Sequence, residues 1–252
     1  MATSVYLSAL AVAVVVALAT GDLGVLWWMT LFAAPDASVQ VTWPNVLLLI
    51  LAGLVVAWVL WEFLHGPLTG PPSEQDRDTM RLRVALYVAA ACTLVTPFLT
   101  TWSSWAAVVM FVPMFGVVLL LSPVVGRTRR HVLILRVSGT LGYGCAAVGL
   151  GLALSGHAVG ALALVAGLAS LIWNVLVLRA QWDNKRFQRA TVKYGILALV
   201  LPFVLTMAGG LSGVPPEFYD DVVAVVGLLA VVWLARSAHD LHAPPAVSVP
   251  SA

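Results

Sequence analysis

The Lys and Arg residues of this 252-residue chain are confined to alternate gaps between long apolar runs, or to the run ends that face those gaps. That segregation constrains the fold more than any motif. The runs read as 3–33, 44–64, 82–102, 105–125, 132–154, 158–178, 194–212 and 216–237. The 13 basic residues fall into four groups: Arg77, Arg81 and Arg83; Arg127, Arg129, Arg130 and Arg136; Arg179, Lys185, Arg186, Arg189 and Lys193; and Arg236 alone. The other connections, 35–43, 103–104, 155–157 and 213–215, hold none. About 20 apolar residues cross a hydrocarbon core near 30 Å thick, and short loops rich in Lys and Arg stay cytoplasmic. The pattern predicts an all-α polytopic transmembrane bundle of about eight spans, with both termini in the cytoplasm.

Composition agrees. With 61% hydrophobic and 10% charged residues, the chain departs far from the roughly 25% charge of soluble domains. Residues 1–242 read as one transmembrane domain and 243–252, rich in Pro, Ser, Val and Ala, as a disordered cytoplasmic tail. The basic residues are scattered topology signals with no continuous basic face, so no nucleic-acid partner is expected. Arg used in place of Lys, with abundant Ala, Val and Gly, points to a GC-rich bacterial genome, and the plasma membrane is the expected location. The bilayer itself is the first partner.

Run 3–33 is too long for one simple span, since 31 helical residues would measure about 46 Å. A break is expected at Gly21-Asp22-Leu23-Gly24, where two glycines flank a carboxylate. Asp22 is the acid lying deepest in an apolar run, and an ionisable group there costs at least about 2.5–3.5 kcal/mol on insertion scales. It is a candidate proton or cation site, or else a cap for the segment that follows. Glu62 and His65, one turn apart at the end of the second run, form a candidate acid–base pair. Thr93, Thr96 and Thr100 make a hydroxyl stripe around Pro97. With Pro113 and Pro202 as further kinks, that stripe is a candidate lining for a solute path, or else a set of hydroxyls bonded to their own helix. Tyr143 and Asn174 are candidate polar contacts in runs five and six, for a ligand or for a neighbouring helix.

Small residues recur along runs five and six. Ser138, Gly142, Cys145 or Ala146, Gly149 and Ala153 line one face, and Gly156, Gly160, Ala163 and Gly167 continue the theme. Such stripes let helices approach closely in lipid. They serve the bundle itself, or a homo-oligomer or partner membrane subunit through Gly142, Gly149, Gly156 and Gly160. Most of the 10 Trp residues sit near run ends, as an interfacial belt does.

Trp61-Glu62-Phe63 is similar to a Trp-Glu motif of the integral membrane terpene cyclases, multi-spanning enzymes that protonate isoprenoids. The likeness covers three residues. That family pairs its acid with an aspartate of the last helix, whereas Asp220 and Asp221 here fall at the opposite end of the last run and Asp240 beyond it. The family is therefore not assigned.

The chain has no GxxxxGK[ST], HExxH, GxSxG or CxxC, and Cys92 and Cys145 lie singly inside apolar runs. No cofactor and no metal are expected. The leading expectation is a non-enzymatic component of the membrane: a small permease-like or channel-like transporter, or a membrane subunit of a larger complex. The alternatives are an intramembrane enzyme using Glu62 on a lipid or isoprenoid, and an assembly scaffold.

Overall fold

The computed structural model describes residues 2–31, 41–65, 77–100, 103, 105–126, 128–212 and 227–241, with the side chains at 97–100 and 205–212 outside that description. Glu217, Asp220, Asp221, the Thr100 side chain and the tail 243–252 lie outside the described residues. All regular structure among the described residues is helical. The helices are α1 (Ala2–Thr20), α2 (Gly24–Leu31), α3 (Trp43–Leu64), α4 (Arg77–Thr100), α5 (Trp105–Val109), α6 (Phe111–Val125), α7 (Arg129–Leu154), α8 (Gly160–Asp183), α9 (Arg189–Ser212) and α10 (Leu229–Asp240). Among the described residues six helices are long and apolar enough to cross a membrane: Ala2–Thr20, Trp43–Leu64, Arg77–Thr96, Trp105–Val125 (α5 with α6), Arg129–Leu154 and Gly160–Asp183. At most a third of any of these stretches is buried by protein, so most of their apolar surface is left for lipid to cover.

The chain divides into two compact units, Met1–His65 with Leu197–Val232, and Gly66–Ile196 with Trp233–Ala252. In the first, the expected break falls where the glycines predict it. Gly21 adopts a φ of 70°, a conformation that costs Gly little, and ends α1. The Tyr6 hydroxyl donates to the Met29 carbonyl at 2.8 Å, so α2 does not continue along the axis of α1 but folds back beside it. Leu10, Ala13, Leu26, Trp27, Val46 and Leu49 form the core between α1, α2 and α3. Gly53 of α3 allows that closeness, because a Cβ there would lie 2.7 Å from Leu10 and 3.1 Å from Thr30.

In the second unit, run 105–125 is split at Met110 into α5 and α6. Pro113 explains the split, since it has no N–H to donate to the Val109 carbonyl and its ring crowds that position. α7 and α8 pack extensively against one another. The pair closes over small residues: a Cβ on Gly139 would overlap Trp173 and Val118, and one on Gly142 would overlap Ser170. Gly156 lies outside both helices. It adopts a φ of 78° just past the end of α7, where the His157 N–H returns to the Leu152 carbonyl at 2.9 Å, so turn geometry rather than helix contact requires glycine there. The starts of α7 and α9 and the ends of α6, α8 and α10 meet at one end of this unit, the end that carries Arg129, Arg130, Arg179 and Arg189.

Candidate functional site

At that basic end the short α6–α7 connection builds one wall of a cavity. The Gly126 N–H closes α6 on the Ser122 carbonyl at 2.9 Å. Thr128 then caps α7, its hydroxyl oxygen accepting from the His131 N–H at 3.3 Å, which fixes His131 in the first turn. The opposite wall is the last two turns of α8. Leu176, Arg179, Ala180 and Asp183 recur there at three- and four-residue steps and so share one face. Between them lies a partly open cavity of ≈ 310 Å³, with Val125, Ile134, Leu135, Leu176 and Ala180 as apolar walls and His131, Arg179 and Asp183 as its ionisable groups. Arg179 brings a permanent charge and a planar set of donors suited to phosphate or carboxylate. The N-terminal end of the α7 dipole adds positive potential on the same side.

Behind α8 the same turns are tied to α10. Gln181 is fully buried. Its side-chain oxygen accepts from the Trp233 indole N–H at 2.9 Å, and its NH₂ donates to the Ser237 hydroxyl at 3.1 Å. One turn beyond Ser237, the Asp240 carboxylate accepts from the Gln188 N–H at 2.9 Å and from the Thr191 hydroxyl at 2.6 Å, capping the start of α9. Asp240 lies past the last expected run. Burial pushes its carboxyl upward from an ordinary value of 3.8, while the bonds from Thr191 and Gln188 and the nearby Arg236 pull it down. A ring contact places Tyr87 of α4 against His239, their centroids 5.6 Å apart.

The residues singled out from sequence stand elsewhere. The Asp22 carboxylate accepts from the Gly24 N–H at 2.8 Å, an Asx turn that starts α2, and the residue is exposed. His65 ends α3 and stacks on Trp61, with centroids 4.4 Å apart and planes 22° from parallel. Glu62 is half-buried one turn before it. The Thr93 hydroxyl donates to the Ala89 carbonyl at 2.8 Å and that of Thr96 to the Cys92 carbonyl at 2.7 Å, each within α4. Tyr143 stands edge-on to Trp173 at 5.4 Å, and Asn174, within hydrogen-bonding reach of its hydroxyl, donates to the Ser170 carbonyl at 2.8 Å. Tyr143 and Asn174 are thus brought together across α7 and α8. Of the other candidates, Glu62 and His65 lie at the end of α3, Thr93 and Thr96 lie on α4, and Asp22 precedes α2. Among the described residues no group of three or more His, Cys, Asp and Glu is placed to hold a metal ion.

Sequence reading missed His131, Arg179 and Asp183 as a group, and Gln181, Thr191 and Ser237 altogether. Arg179 and Asp183 sit one turn apart, a local signal that was absorbed into the topology pattern. Gln181 and Ser237 are 56 residues apart and carry no local signal.

Compared with known proteins, the chain matches no family model, no curated protein and no solved structure.

Proposed function

We propose that this chain is a non-enzymatic component of a bacterial plasma membrane, a small permease-like transporter or the membrane subunit of a larger complex, that meets its ligand at the basic end of its second unit. The observation that carries this reading is the cavity of ≈ 310 Å³ in which Arg179, His131 and Asp183 stand over apolar walls. Four of the other candidates make local contacts that account for their positions: Asp22 starts a helix, His65 rests on Trp61, and Thr93 and Thr96 bond to their own helix. The positive-inside pattern of the basic clusters supports a cytoplasmic side for the cavity.

Complementation of a strain lacking the gene tests the reading. Arg179→Leu, expressed at normal level, fails to complement, and Glu62→Gln complements fully. The opposite pattern, with Glu62→Gln inactive and Arg179→Leu active, would replace this reading with intramembrane acid chemistry at Glu62.

A second reading, an assembly subunit, draws on α8. An added Cβ at Gly160 or Gly167, two turns apart, meets nothing within 4 Å. Gly160→Leu would then block co-purification of a partner subunit while leaving the isolated chain folded.

A further inference from the structure

We propose that the cavity at the basic end of the second unit binds the phosphodiester headgroup of a membrane phospholipid, with Arg179 as its cationic contact and the His131 ring as a further donor. The inference rests on the reading that this cavity is where the chain meets its ligand, and it names the ligand's class. Size comes first. A cavity of ≈ 310 Å³ is at the lower end of the roughly 300–1,000 Å³ of ligand sites. It admits a phosphate with its glycerol but not two acyl chains, so the remainder of a lipid has to leave through the open side.

Exposed apolar surface beside the cavity favours a lipid over a soluble phosphate ester. Ile134, on the cavity wall, is itself 41% exposed, and its α7 neighbours Leu133 and Val137 are 62% and 56% exposed. Leu176 of the opposite wall is flanked on α8 by Ile172 and Val175, about half exposed. A lipid bound here would lay its acyl chains on that apolar surface and set its phosphate against Arg179 and His131. A soluble ester gains nothing from Ile134 or Leu176, whereas a lipid buries its first acyl carbons there.

Charge then selects among headgroups. Arg179 offers paired donors to phosphate oxygens, and the His131 ring adds a donor from the first turn of α7. Asp183, also part of the lining, opposes them. A phosphomonoester carries a charge of about −1.5 to −2 near neutrality, and its second charge would face the Asp183 carboxylate. A phosphodiester carries a single negative charge and fits the balance better. Asp183 therefore acts as a filter against phosphatidic acid.

The test uses the full chain, purified in mild detergent, stripped of lipid and titrated separately with phosphatidylglycerol and phosphatidic acid, with bound lipid counted by native mass spectrometry. Phosphatidylglycerol is expected to bind one per chain and to bind more tightly than phosphatidic acid. Arg179→Gln weakens it about ten-fold or more, the usual scale for losing a hydrogen bond to a charged group. Ala180→Leu, which fills the cavity without changing charge, weakens it as well. Arg136→Gln removes a charge from the exposed face of the same helix as His131, outside the cavity lining, and leaves binding unchanged. Asp183→Asn narrows the preference for the diester over the monoester. Circular dichroism and thermal melts confirm that each variant is folded. Equal weakening by Arg136→Gln and Arg179→Gln, or tighter binding of phosphatidic acid by the unmodified chain, would overturn the proposal. So would displacement of the lipid by glycerophosphoglycerol at comparable concentration, which would make a soluble ester the ligand. Binding is read here without any cellular phenotype, so intact lipid binding alongside loss of complementation by Glu62→Gln would sink the functional reading alone.

Discussion

Gly142 is where the α7–α8 packing can be tested most directly, because what opposes it is backbone. A Cβ built there lies 2.7 Å from the Ser170 nitrogen and 2.9 Å from its Cα, as well as 2.6 Å from its hydroxyl oxygen. The hydroxyl can rotate away, but the backbone atoms cannot. To restore even the tight end of ordinary contact, 3.4 Å, the helices of Gly142→Ala must part by the shortfall from 2.7 Å. That displacement also loosens Tyr143 against Trp173 and Trp173 against Gly139. Overpacking of this kind costs about 1–3 kcal/mol, and the better helix propensity of Ala returns up to about 1 kcal/mol. A net loss of about 1–2 kcal/mol is expected, with no hydrophobic compensation because lipid is as apolar as the interface. Gly167→Ala on α8 is the matched control, since its Cβ meets nothing within 4 Å and only the propensity gain remains. Equilibrium unfolding in mixed micelles of sodium dodecyl sulfate and a mild detergent reads the difference. If Gly142→Ala proves as stable as Gly167→Ala, the helices are not in backbone contact at Ser170 and the reasoning fails.

Other perturbations give sharp outcomes. Gln181→Leu strands the buried Trp233 N–H and the Ser237 hydroxyl, and a loss of about 1–3 kcal/mol is expected in the same unfolding assay; a change below the scatter of that assay would mean the tie contributes nothing. Asp240 has its carboxyl raised by burial, so the fold holds its proton more tightly than the unfolded chain does. Its penalty is present at neutral pH and relieved as pH falls through the raised value toward 3.8, so native stability should gain from this group on acidification, and Asp240→Asn should flatten that part of the pH profile. An unchanged profile in Asp240→Asn would assign the acid dependence to another group. Asp22→Ala removes the bond to the Gly24 N–H and should cost about 1 kcal/mol, whereas Asp22→Asn keeps an acceptor and should be nearly neutral. Equal damage from both would show that the charge of Asp22 matters in its own right.

What was legible in the sequence was local. The break after α1 follows from Gly21 and Asp22, whose preferences act over a few residues. The split at Met110 follows from Pro113, already named as a kink. The bonding of Thr93 and Thr96 to their own helix was one of two readings the spacing allowed. The fold-back of α2 was not legible, since it is a tertiary event marked by Tyr6 reaching Met29 across 23 positions. Nor was the small-residue face readable to the residue. Gly139, which receives Trp173, stood outside the expected stripe, while Gly156 was counted in it and serves a turn. Asp240 was read as lying beyond its run, yet the last helix reaches it and there it caps the start of α9.

The cavity and the buried tie are two faces of the same two turns of α8. Arg179 and Asp183 point toward α6 and α7, and Gln181, between them in sequence, points to Trp233 and Ser237. Residues two apart on a helix diverge by about 200°, so a polar residue at 181 is directed away from a rim built at 179 and 183. The tie fixes how far α8 is rotated, and rotation decides whether Arg179 faces the cavity or the lipid. Apolar contacts alone leave such a rotation weakly specified, because Leu and Val pack acceptably over a range of angles. Two hydrogen bonds to a side chain with no exposed surface tolerate far less. Gln181→Leu should therefore weaken ligand binding at the cavity even though Gln181 does not line it, and to a greater degree than its effect on helix content.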